Sequence, residues 1–249
     1  MADKPQVLRE TDDEARRLAR LLVRGARFMA LGVIDPETGF PSVSRALTGT
    51  DFDGVPVILV SALSGHTKAL AADPRCSLMA GEPGKGDPLA HPRITLQCRA
   101  ETVERDTEDH ARIRQRFLGR HPKASLYVDF PDFRFFRLPP QTASLNGGFG
   151  RAYALSGSDL LIEEPGNGRE WLELQDRLKD MTEAAALAAE QWGAEKGRPW
   201  RFAGVDRSGV DLVGGDVHFR HEFATPAASP GIVFDCISNV AKVIPLPEN

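Results

Sequence analysis

The spacing of apolar residues changes twice along the chain. Near the start, Ala15, Leu18, Leu22 and Ala26 share one helical stripe, and Thr11-Asp12-Asp13-Glu14 ahead of them has the form of a capping box. This predicts an amphipathic helix entering the fold. The runs then shorten. Residues 27–34 are extended and apolar and stop at Asp35-Pro36-Glu37-Thr38-Gly39, a turn sequence. Residues 41–48 alternate, with Ser42, Ser44 and Ala46 on one face and Val43, Arg45 and Leu47 on the other. Asp51-Phe52-Asp53-Gly54 supplies another turn, and residues 55–61 (VPVILVS) form a β-branched run. Strands joined this tightly leave no room for crossovers, so they predict an antiparallel meander.

A short helix is expected from near His66 to just before Asp73-Pro74. Residues 76–80 and 94–103 resume the sheet on either side of a Gly- and Pro-rich loop, residues 81–92. Residues 106–118 read as a charged helix and residues 133–138 (FRFFRL) as another strand. Many short strands with few helices predict a small barrel, which would remove exposed sheet edges. Composition shifts at residues 163–168 (EEPGNG), a linker between parts 1–163 and 168–249. The second part reads as one long helix over about 170–192, strands at 200–205, 210–213 and 217–223, and an amphipathic segment over 230–243. That order is a small α+β unit.

Composition narrows the function. With 249 residues and 41% apolar content, the chain can fill one large core or two modest ones. Lys and Arg number 31 against 35 Asp and Glu, a net charge of −4 with no basic tail. This argues against binding to nucleic-acid backbones. No run approaches the ~18 apolar residues of a membrane helix, and Met1-Ala2-Asp3-Lys4-Pro5 lacks a signal-peptide core. Cys76, Cys98 and Cys236 are odd in number and never in a C-x-x-C pair. A disulfide framework or zinc knuckle is not expected, and a reducing, cytoplasmic compartment is.

Three motifs fail on inspection. Ser64 lacks a glycine two residues before it, since Ala62 stands there, so no nucleophile elbow is present. Gly84-Lys85-Gly86 lacks the rest of a phosphate-binding P-loop. His218 and His221 would point to opposite faces of a strand, which opposes a shared metal. A better constellation comprises Arg45 on the second strand, Ser61, Ser64, His66, Thr67 and Lys68 after the third, and Arg93 opening the fifth. A phosphate monoester carries about −1.5 to −2 charges, and an Arg fork, a Lys, hydroxyls and a helix N-terminus suit it. The plainer reading makes Arg45 and Lys68 solvated surface charges and the hydroxyls helix caps. Spacing alone leaves both open.

Residues 28–33 (FMALGV), 41–45 (PSVSR) and 63–78 (LSGHTKALAADPRCSL) resemble the FMN-binding split-barrel superfamily related to pyridoxamine 5′-phosphate oxidase. Residues 129–138 (DFPDFRFFRL) and 147–152 (GGFGRA) resemble its haem-utilisation (HugZ-type) branch. The resemblance spans about residues 20–161. It implies an α+β fold: a six-stranded antiparallel split β-barrel with flanking helices over 1–163, then a small C-terminal α+β domain over 168–249. It also implies a homodimer with FMN or haem sites at the subunit interface. On that pattern Arg45, Ser61, Thr67 and Lys68 would meet a flavin phosphate, and Ser44 and Arg93 the ring or ribityl chain. The turn carrying Gly148 and Arg151 would approach from one protomer, with Phe149 or Phe136 stacking or packing. The C-terminal part resembles a domain of unknown function attached to this branch. Its helix departs from the branch's N-x-D-H signature, reading LKDMTE over 178–183.

These readings give a leading function and two alternatives. The first is an FMN-binding oxidoreductase with an unidentified small-molecule substrate. The second is haem binding or degradation, with His66, His91, His218 or His221 as axial ligand. The third is a non-catalytic dimeric module whose flavin site has decayed.

Overall fold

The computed structural model describes residues 8–163, 166 and 168–242. Met1 to Pro5, part of the 163–168 linker and Val243 lie outside the described residues. The entering helix, α1 (Asp13–Gly25), is capped one residue later than the sequence predicts. The Asp12 carboxylate accepts the Ala15 N–H at 2.8 Å, while the Thr11 hydroxyl donates to the Ala154 carbonyl at 2.9 Å. The capping box gives way because Thr11 is claimed by a neighbouring strand.

The predicted meander is present as β2 (Phe28–Ile34), β3 (Pro41–Thr50) and β4 (Pro56–Ser61), followed by α2 (Gly65–Ala72) and β5 (Arg75–Ala80). The expected strand over 94–103 divides into β6 (Arg93–Arg99) and β7 (Glu101–Thr102). At the break, the Ala100 N–H bonds the Pro74 carbonyl at 2.7 Å, and the chain then leaves to pair elsewhere. After α3 (Glu108–Arg120) come β8 (Phe133–Arg137), β9 (Pro140–Asn146) and β10 (Ala152–Ser156). A two-residue β1 (Leu8–Arg9) pairs in parallel with β10.

These strands form one ten-stranded sheet in the order β1-β10-β9-β6-β5-β2-β3-β4-β8-β7. The expectation was six antiparallel strands. The sheet curls around a core of Met29, Leu31, Leu78, Ile94, Leu96 and Leu145 but does not close. Its outermost strands are two residues long, which blunts an open edge in another way. Cys76 and Cys98 face each other across β5 and β6 as free thiols, and burial pushes Cys76 up to about 11.

The second sheet holds β11 (Trp200–Asp206), β12 (Gly209–Gly214) and β13 (Val217–Glu222) in that order, all antiparallel. The long helix expected over 170–192 is two helices, α4 (Arg169–Leu178) and α5 (Thr182–Gln191), and α6 (Pro230–Lys242) follows the sheet. A helix of that length would run about 35 Å, well beyond strands of six or seven residues. Folding back lets Trp171, Leu174 and Leu178 as well as Ala185 and Ala188 reach one core.

The two sheets meet across buried charge. Asp206 accepts from Arg24 at 3.1 Å, Arg116 at 3.2 Å and Arg220 at 2.8 Å; Asp211 accepts from Arg120 at 3.0 Å and Arg220 at 3.1 Å. Arg24, Arg116 and Arg120 belong to α1 and α3, and the carboxylates to β11 and β12. Burial pushes the Asp206 carboxyl up, but Arg220, Arg24 and Arg116 outweigh it and hold it far below its usual value. Burial, with the neighbouring Arg220 and Arg116 guanidiniums, brings Arg24 down to about 10 against the pull of Asp206.

Candidate functional site

β3 belongs to two ladders. It pairs with β2 from Pro41 to Leu47 and with β4 only from Thr48 to Thr50. Past Thr48 and Ile58 the strands part; an unbroken register would set Arg45 opposite Ser61. α2 follows β4 at once, and His66 Nδ1 lies 3.0 Å from the Ser44 hydroxyl, tying the helix to β3 across the opening. Burial lowers the His66 pKa, and its Nε2 is buried without a partner.

Two of the predicted phosphate ligands are already engaged. The Ser61 hydroxyl donates to Asp132 at 2.6 Å, and the Thr67 hydroxyl donates to the Ser61 carbonyl at 2.7 Å. Both fix the turn between β4 and α2. Ser64 caps α2 by position but makes no side-chain cap bond, and Lys68 is exposed. Asp132 as the partner of Ser61 was not foreseen; its place in a Pro-Asp turn 71 residues away carries no such signal.

Arg45 lies on the opposite face of β3 from Ser44. Its guanidinium sits 4.6 Å from the centroid of the Phe28 ring, a cation–π contact. Arg93 opens β6 opposite Asn146, with Nη1 at 3.3 Å from the Leu89 carbonyl. Gly148 stands at φ +106°, and a Cβ there would meet the Ala90 carbonyl at 2.9 Å. Arg151 Nε donates to the Gly147 carbonyl at 3.3 Å, and its Nη1 is 3.6 Å from Glu14. Arg93, Gly148 and Arg151 therefore gather with the 81–92 loop, whereas Arg45 lies three strands away. At about 4.8 Å per strand that is about 14 Å, too far for one phosphate.

Between these groups lies the outward face of the sheet. The registers align Val43, Gly32, Ser77, Gln97 and Thr142 in one row, and Arg45, Ala30, Met79, Thr95 and Ser144 in the next. Small residues keep the middle flat, while Val43 is 72% and Met79 47% exposed. A cavity of about 790 Å³ opens at one end beside Ser77, Gln97 and Arg99. Exposed Leu89 and Phe149 mark the other end, near Arg93.

Of the six histidines, four were candidates for iron. His91 places Nε2 3.0 Å from the Lys85 carbonyl, which only accepts, so Nε2 carries a proton and only Nδ1 is left to meet a ligand. His218 is the reverse: Arg120 can only donate to its Nδ1, at 3.4 Å, so the proton sits on Nε2. His221 stacks on Trp192 at 4.3 Å, on the other face of β13 from His218 as expected. No group of three or more metal-ligating side chains occurs among the described residues, and no described helix is long and apolar enough to cross a membrane.

An open, curled sheet with flanking helices defines the class. The model of the CREG β-barrel family matches residues 10–160, more than half the chain, and the protein belongs to that family. Among curated relatives, the chain is 30% identical over 136 residues to the haem oxygenase HutZ of Vibrio cholerae, covering 53% of this chain and 76% of HutZ. It is 36% identical over 119 residues to the chloroplastic haem oxygenase HOZ of Arabidopsis thaliana, covering 48% of this chain and 36% of HOZ. The chain thus matches about a third of that relative's length. Among solved structures it resembles Atu2129 of Agrobacterium tumefaciens, of unknown function, at 29% identity and TM-score 0.78, covering 96% and 98% of the two chains. A haem-binding protein from Mycobacterium smegmatis matches at 27% identity and TM-score 0.56, covering 94% and 98%.

Proposed function

We propose that the chain binds haem at the outward face of the barrel sheet and takes part in its oxidative breakdown, with His91 as axial ligand and a second protomer closing the site. The observation that carries this is His91, whose ring is anchored through Nε2 with Nδ1 the nitrogen left to meet a ligand, beside Arg93 and the Gly148 turn. A flat tetrapyrrole suits the flat rows of small residues, Leu89 and Phe149 offer apolar contact, and Arg93 offers a partner for a propionate. Bound haem would supply a redox-active iron; the protein would ligate, orient and shield it. The names of HutZ and HOZ favour haem over the flavin that the sequence put first. The division into a barrel over 1–163 and a C-terminal domain over 168–249 belongs to the same reading, as does a cytoplasmic setting.

Haemin added to the purified chain is expected to give a Soret band that His91→Ala abolishes and His66→Ala leaves in place. A band that survives His91→Ala overturns the ligand assignment, and a flat titration overturns haem binding.

The FMN reading keeps one specific support: the free Ser64 hydroxyl, the first amides of α2 and exposed Lys68 together suit a phosphate. With Ser61 and Thr67 committed elsewhere, fewer donors remain than that reading assumed. An absorbance spectrum of protein purified without added cofactor separates flavin bands from a Soret band.

A further inference from the structure

A second cavity, of about 710 Å³, lies along the seam between the sheets. One wall is apolar, made by Leu21, Leu22 and Phe28 at the end of α1 and the start of β2. The other is the free edge of β13, from Asp216 to Arg220. Its size falls within the few hundred to about 1,000 Å³ usual for small-molecule sites.

The edge is only partly covered. The Phe223 N–H bonds the Ser208 carbonyl, so the backbone groups of Val217, Phe219 and His221 turn toward β12 and those of His218, Arg220 and Glu222 turn away. Arg17 takes the Glu222 carbonyl at 3.4 Å and Arg27 the Asp216 carbonyl at 2.6 Å. The amides of His218 and Arg220, between those two, face the cavity.

Arg220 lines the cavity and belongs to a buried cluster in which four guanidiniums, Arg24, Arg116, Arg120 and Arg220, meet the carboxylates Asp206 and Asp211; buried Glu222 further along β13 pairs with Arg20. Arg27 adds a further cation that ion-pairs with no described carboxylate. His218 presents its Nε2–H because Arg120 occupies Nδ1. Two acidic residues, Glu82 and Asp216, are exposed at the rim.

We propose that this seam binds an amphipathic carboxylate, with its apolar body against Leu21, Leu22 and Phe28 and its carboxylate on Arg27, His218 Nε2–H and the edge amides of β13. The site adjoins the outward face assigned to haem, since Phe28 also carries Arg45 and Gly81 packs against Arg93, but it does not depend on that assignment. It joins the barrel to the C-terminal sheet, so its occupant would touch both.

The test is a fluorescence titration of the full chain with cis-parinaric acid, beside its uncharged methyl ester. The acid is expected to saturate one site and the ester to bind at least tenfold more weakly. Arg27→Gln and His218→Phe should each weaken the acid about tenfold or more, Arg27→Lys should restore most of the binding, and Lys196→Gln should change nothing. Haemin as competitor identifies the source of the carboxylate: displacement of the acid that persists in His91→Ala points to a tetrapyrrole in the seam, and no displacement in that variant to an acyl chain. Equal binding of acid and ester, or full affinity in Arg27→Gln, overturns the proposal. So does displacement of the probe by an extended peptide amide without a carboxylate, which would make the edge a strand-docking surface.

Discussion

Asp206 is the residue on which most of the seam depends, because a single carboxylate answers three guanidiniums where water cannot reach. Removing one partner of a buried ion pair typically costs about 3–5 kcal/mol, since the remaining charges stay desolvated. Asp206→Ala is expected to lower unfolding stability by that amount in urea denaturation. Asp211 carried a signal in the sequence, since Asp is disfavoured inside strands and it interrupts the run Val210 to Val213, whereas Asp206 reads as an ordinary turn residue ahead of Arg207-Ser208-Gly209. Their partners carried none: Arg24 and Arg116 sit on helical stripes that read as ordinary polar faces. Two histidines nearby set a pH dependence. Burial brings His121 down to about 4, and burial with Arg120 brings His218 down to about 3. Both fall below the ordinary value of about 6.5, so between roughly pH 6.5 and 4 the unfolded chain holds more protons and stability falls with acidification. Denaturation at pH 7, 5.5 and 4.5 should show this decline, and His121→Gln should shallow it.

At the scale of elements, close approach of backbones decides more than propensity. Gly119, near the end of α3, leaves room for β11: a Cβ there would lie 2.2 Å from the Ala203 carbonyl. Gly119→Ala must therefore push α3 off the sheet and is expected to cost about 1–3 kcal/mol, read as a lowered urea midpoint with an unchanged slope. The elements that could be read in advance were those with a local pattern, such as β2 to β4 and α2. β9 was missed because Gln141, Thr142 and Ser144 hide its alternation, and β10 because it is only five residues long with alanines on its outer face. The break between α4 and α5 was missed because Lys179-Asp180-Met181-Thr182 contains neither Pro nor Gly. Only the size of the three-stranded sheet required the chain to turn back there.

At the scale of the molecule, the outward sheet face is the part most in need of a neighbour. Val43 and Met79 lie on adjacent rows of it, both well exposed, and monomers rarely leave such a face bare. If the chain pairs through this face, Val43→Asp should convert the dimer to a monomer in size-exclusion chromatography with light scattering; an unchanged mass would exclude that face. The sequence by itself determined the antiparallel meander, the short helix after it and the strands of the C-terminal part, because turn residues and a two- or 3.6-residue period act locally. It offered Arg45, Lys68 and Arg93 as one candidate anion site and left the reading of solvated surface charges equally open. Tertiary structure alone decided that Arg45 and Arg93 do not share one ligand atom: the strand order puts two strands between them, and no local pattern encodes strand order. It likewise decided that Ser61 and Thr67 spend their hydroxyls on a turn, that His91 anchors its ring through Nε2 on the Lys85 carbonyl, and that β13 leaves an edge open beside buried Arg220. Each depends on residues far apart in the chain meeting in space.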